Sequence, residues 1–163
     1  MKMSKKRRAL TVTVAVLTVL QLAFIFGQSL VDAPTSSGES GFVMKLVTPV
    51  FELFVGKGNV TENLIRKTAH FAEFAVLGAL TASLSYLLGK RRPLHFVFTL
   101  LCCLAAAVTD ESIQLFSSGR SAEVRDVLLD LAGAAAGTAV ALTVILIIRR
   151  IKGRTSHEKT SDD

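Results

Sequence analysis

The sequence predicts an all-α integral membrane protein: four transmembrane helices with an amphipathic interfacial helix in the first external loop. Three observations predict it. Half of the 163 residues are hydrophobic and only 20% are charged, for a mean hydropathy of +0.49, which is more apolar material than one small core can hide from water. The apolar residues are gathered into four long runs, for which a bilayer serves as solvent. The 19 Lys and Arg, set against 13 Asp and Glu, cluster beside those runs rather than along a groove with aromatic platforms. Their arrangement is topological and speaks against a nucleic-acid partner. A soluble globular enzyme is disfavoured for the same reasons. Cys102 and Cys103 are adjacent inside an apolar run, so they form neither a disulfide framework nor a zinc-binding spacing.

Residues 1–8 are a basic segment, with Lys5, Lys6, Arg7 and Arg8 directly ahead of the first apolar run, 9–31. That run is uncharged and longer than the roughly 7 to 15 residues of a signal-peptide core. Cleavage after Ala33 would leave Pro34 leading the chain, so the run reads as an uncleaved first helix. Runs 68–89 and 127–148 are each long enough to span. Run 93–109 is shorter and needs part of the polar turn after it to complete its crossing. Basic flanks recur at Lys90, Arg91 and Arg92 and at Arg149, Arg150, Lys152 and Arg154. Together with the amino terminus these alternate segments lie on one side, which the positive-inside rule makes the cytoplasm. Both termini are therefore expected to be cytoplasmic, with 9–148 a single membrane domain and 149–163 a disordered tail.

In the external loop 32–67, Phe42, Leu46, Val50 and Phe54 recur at intervals of four, with Val43, Val47 and Phe51 beside them. This is an amphipathic helical stripe interrupted at Pro49, placed in the outer headgroup layer. Asn59 followed by Glu62 resembles a capping pair, so the second helix is expected to begin near residue 60.

Polar residues inside the apolar runs converge in depth. Counting about 1.5 Å of rise per residue from each cytoplasmic flank puts Glu73 roughly 25 Å from Lys90, Asp110 roughly 27 Å from Arg92 and Asp130 roughly 28 Å from Arg149. All three lie near the outer edge of a hydrocarbon core about 30 Å thick. Arg66, His70 and Glu73 share a face of the second helix. Asp110 and Gln114, with Glu111 adjacent, form a face on the third, and Asp126, Asp130, Gly133 and Gly137 line up on the fourth. A charge near mid-membrane costs about 2.5 to 3.5 kcal/mol, less near the interface, so several together imply mutual pairing or a polar cavity. The candidate functional constellation is Arg66, Lys67, His70, Glu73, Asp110, Glu111, Gln114, Arg120, Asp126 and Asp130. The competing reading is an ion-pair network in which Arg66, Lys67, Arg120 and Arg125 neutralise the acids and hold the helix ends together. The small residues from Gly133 to Gly137 suit close helix packing within the chain rather than dimerisation, and the oligomeric state is left open.

Two blocks carry a resemblance to a known family. Arg66-Lys67-Thr68-Ala69-His70-Phe71-Ala72-Glu73-Phe74, and Asp110-Glu111 with Gln114, Phe116, Gly119-Arg120 and Asp126, continued by Gly133 and Gly137, resemble the motifs of the VanZ-like membrane proteins. With Phe26, Ser29 and the intervening helices, the resemblance covers most of the chain. Asp130 departs from it, standing where the family commonly has Asn. The resemblance implies a bacterial cell membrane, multi-pass topology and an association with resistance to the glycopeptide antibiotic teicoplanin.

Three function classes follow. The leading one is a cell-envelope factor whose outer-leaflet polar site binds a lipid-linked envelope precursor or an amphipathic lipoglycopeptide. Its arginines would meet phosphate or carboxylate, and the Phe42 to Phe54 stripe an acyl chain. The alternative is an intramembrane enzyme acting on a lipid-linked substrate, with His70, Glu73, Asp110 and Glu111 as acid–base or metal-binding residues. An ion or proton pathway is disfavoured, because no ionisable relay continues from this layer toward the cytoplasm. No cofactor is identified and no metal is assigned, since a single histidine stands at this depth.

Overall fold

In the computed structural model the described residues are 4–30, 48, 49, 52, 56, 60–89, 92–116 and 123–158, with backbone alone for 62, 92–95 and 152–158. They form four long helices and, among the described residues, no strand: α1 (Lys5–Ser29), α2 (Glu62–Leu87), α3 (Arg92–Gln114) and α4 (Val124–Glu158). Three are long and apolar enough to cross a membrane, namely α1, α3 over Phe96–Gln114 and α4 over Val124–Ile151. The helix α2 is as long but carries Lys67, His70 and Glu73 in its first half. It packs against all three of the others, most extensively against α4.

Local chemistry explains the helices. The β-branched start of α1, Thr11 to Val16, would favour a strand in water. In an apolar medium the backbone must satisfy its own hydrogen bonds, and the hydroxyls of Thr11 and Thr18 donate to the carbonyls of Arg7 and Val14, each at 2.8 Å. Ser4 caps the helix by accepting from the Arg7 N–H at 3.2 Å. The capping pair expected at Asn59 and Glu62 gives way to Thr61, whose side chain accepts from the Leu64 N–H at 3.2 Å. Thr61 immediately precedes the first helical residue and so reaches the N3 amide. At the other end of α2, Gly89 adopts φ 77° and its N–H closes on the Tyr86 carbonyl at 3.0 Å, a left-handed stop that glycine takes without Cβ strain.

The third helix runs through Gln114, which keeps Asp110, Glu111 and Gln114 on it as their spacing predicts. The helix α4 continues to Glu158, into the segment 149–163 expected to be a disordered tail. No proline interrupts it, and beyond residue 148 its one glycine, Gly153, costs less than a helix already propagating can bear. The Phe42 to Phe54 stripe and Asn59 lie outside the described residues.

The helices α1 and α2 run antiparallel. Arg7 donates from Nε and Nη2 to the Leu87 carbonyl at 3.2 and 3.0 Å, and Gln21 Nε2 donates to the Glu73 carbonyl at 3.1 Å. The seam between α2 and α4 is built on glycine. A Cβ at Gly133, Gly137 or Gly78 would overlap the backbone carbonyl of Phe71, Ala75 or Ala134 respectively. The small-residue face expected on α4 therefore packs within the chain. Thr138 adds a hydroxyl bond to the Gly78 carbonyl at 3.3 Å.

The body is apolar outside and partly polar inside. Val19, Leu101 and Val140 face outward, while Ser29, Asp110, Gln114, Asp130 and Thr138 are buried beside Ile25, Phe74 and Ala134. Such a distribution suits a lipid solvent, where polar groups seek one another and apolar surface needs no cover.

Candidate functional site

The basic ends of the helices meet at one end of the body, where Arg7 bonds Leu87 and the Arg149 guanidinium lies 6.0 Å from the centre of the Tyr86 ring. The acidic residues gather at the opposite end, where α1 finishes, α2 begins, α3 finishes and α4 begins.

Asp110, fully buried, is the hub. Its Oδ1 accepts from the Ser29 hydroxyl at 2.6 Å, and its Oδ2 accepts from Gln114 Nε2 at 2.9 Å. The Gln114 amide also reaches Ser29 Oγ at 3.4 Å. His70 Nδ1, arriving from α2, stands 3.8 Å from Oδ2. Asp130 comes from α4 and is 1% exposed. Among the described residues neither of its carboxylate oxygens has a hydrogen-bond partner. One ligating atom from each of His70, Asp110 and Asp130 falls within 4.8 Å of the others.

The remaining residues surround this centre. Lys67 Nζ lies 2.5 Å from Asp126 Oδ1 and 4.0 Å from Glu123 Oε2, so the expected ion-pair network is present at that position. Glu111 is buried and its Oε2 accepts the Glu123 N–H at 3.0 Å, placing a carboxylate at the amino terminus of α4, where the helix dipole favours negative charge. Glu111 thus holds α4 in place. Arg66 Nη2 bonds Asn63 Oδ1 at 3.5 Å, and Arg125 is exposed. Glu73 is drawn toward α1 through its backbone carbonyl, and its buried Oε2 has no partner among the described residues. Arg120 lies outside the described residues.

A cleft lined by Arg66, Lys67, His70, Glu111, Gln114, Asp126, Leu129 and Asp130 leads to the centre, with about 10 Å³ of free space, near the minimum for one water-sized body. Beside it runs a wider, open groove of about 180 Å³ between α3 and α4, lined by Val108, Leu115, Val124 and Val127 together with Glu111, Ser112 and Glu123.

Ser29 was absent from the candidate set. It stands four residues after the buried Ile25, on the same face of α1, and its place beside Phe26 in the family resemblance is the signal in the sequence that points to it.

These features define a helical membrane protein with a buried polar centre shared by all four helices. The chain belongs to the VanZ/LLP1 family, whose model matches residues 12–148. No curated protein and no solved structure matches it.

Proposed function

We propose that this VanZ-like protein crosses the bacterial cell membrane four times, with both termini cytoplasmic, and that its polar end faces the outer leaflet. There it binds the headgroup of a lipid-linked envelope precursor or an amphipathic lipoglycopeptide and alters tolerance to teicoplanin-type antibiotics. The observation that carries this reading is the pairing of a small, highly polar cleft, in which Arg66, Lys67 and His70 stand beside Glu111, Asp126 and Asp130, with an adjacent and largely apolar groove along α3 and α4. A charged headgroup and an attached chain need that combination. The shielded position of α2 supports a fourth span, because a helix covered by three others tolerates Lys67, His70 and Glu73. Helical backbone at Thr48, Pro49 and Glu52 supports an interfacial segment in the first loop.

The test is teicoplanin tolerance in a bacterium lacking its own homologue and expressing either the parent chain or Glu73→Gln or Asp110→Asn at matched membrane levels. Raised tolerance with the parent and none with the equally abundant variants is the expected result. No effect from the parent removes the antibiotic role.

A further inference from the structure

We propose that His70, Asp110 and Asp130 form a binding site for one divalent cation of borderline hardness, zinc foremost. The inference stands on the geometry of this centre and does not depend on the antibiotic role.

Each ligand comes from a different helix. The His70 nitrogen and the carboxylate oxygens of Asp110 and Asp130 lie within 4.8 Å of one another, and His70 Nδ1 and Asp110 Oδ2 are 3.8 Å apart. Atoms bound to zinc at about 2.0–2.2 Å lie roughly 3–4 Å from each other, so small side-chain rotations close the site.

Burial supplies the second observation. Asp130 is 1% exposed and neither oxygen meets a donor among the described residues. A carboxylate withdrawn from water without a donor or counter-charge is costly, and a bound cation removes that cost. The lysine at this level is committed elsewhere, since Lys67 sits on Asp126. Asp110, Glu111, Asp126 and Glu73 all act electrostatically on Asp130, which makes the centre a concentration of negative charge that attracts a cation.

The surroundings hold the ligands in place. Ser29 and Gln114 orient the Asp110 carboxylate, as hydrogen-bonded partners commonly do for metal ligands. The backbone contact of Phe71 with Gly133 sets α2 against α4 one residue from His70 and three from Asp130. One imidazole and two carboxylates suit zinc or manganese, whereas calcium seeks about six to eight oxygens. The cleft admits about one further small ligand, the open position of a non-structural zinc site.

The full chain, with Cys102→Ser and Cys103→Ser to remove thiol ligands, is purified in detergent micelles, stripped with chelator and titrated with zinc chloride. Metal content by mass spectrometry and heat of binding are read on the same sample. One equivalent of zinc is expected, with affinity at least about 10-fold weaker in His70→Gln and Asp130→Asn and about 10-fold weaker in Ser29→Ala. Should Asp130→Asn fail to fold, the half-buried His70→Gln variant and the zinc-dependent rise in the parent's Tm carry the test. No zinc bound by the parent, preference for calcium or magnesium, or equal binding by the variants overturns the proposal. These readouts are made on purified protein, so their failure and a failure of the tolerance assay are separate results.

Discussion

The Ser29 hydroxyl donates to Asp110 Oδ1 at 2.6 Å across 81 positions of sequence, fastening the last turn of α1 to the centre of the polar end. Ser29→Ala leaves a buried carboxylate oxygen short of a donor. Unfolding in micelles should show a loss of about 1.5–3 kcal/mol, the range for hydrogen bonds to charged groups. Ser29→Thr, which keeps the hydroxyl, should recover most of it. Equal stability of the alanine variant and the parent contradicts the role given to this bond.

The glycine seam makes a second prediction. Gly137→Val places side-chain atoms where the Ala75 carbonyl already is, and overpacking of this kind costs about 1–3 kcal/mol or more. Gly27→Ala meets nothing within 4 Å and serves as the control. Thermal unfolding of the two variants should separate them clearly, and similar melting of both would mean that α2 and α4 do not approach so closely.

The Lys67–Asp126 pair distinguishes a structural from a ligand-binding role. The two side chains are 32% and 16% exposed, so their coupling should be about 0.2–1 kcal/mol in a double-mutant cycle. Lys67→Glu alone should destabilise, and adding Asp126→Lys should restore stability. If the cleft binds an anionic headgroup, antibiotic tolerance stays lost in the stable double variant. Its return would make the pair purely structural.

Much of this arrangement was legible in the sequence, and the reasons for the rest are specific. The shared depth of Asp110 and Asp130 follows from counting rise along each helix, and Gly133 and Gly137 announce their packing face by spacing. Spacing describes one helix at a time, however. It could not reveal that Ser29 meets Asp110, that Glu111 reaches the Glu123 N–H, or that His70 has two carboxylates from other helices beside it, since those meetings depend on how four helices rotate against one another. Thr61, the actual cap, is obscured in the sequence by the Asn59 and Glu62 spacing, which resembles a capping box.

The orientation yields a fourth prediction. In a background with Cys102→Ser and Cys103→Ser, a Ser36→Cys variant should react with a membrane-impermeant thiol reagent applied to intact cells, and a Ser161→Cys variant should react only after lysis. The opposite pattern would invert the protein and move its polar end to the cytoplasm.

The contact of Gly133 with the Phe71 carbonyl also governs how the molecule responds to force. Because Gly78, Gly133 and Gly137 all seat one helix on the backbone of the other, α2 and α4 lack the cushion of side chains that lets ordinary helices slide. Any widening between His70 and Asp130 must therefore come from side-chain rotation rather than from parting the two helices, which move as one. The contact of Arg149 with the Tyr86 ring at the far end joins the same two helices and so moves with them.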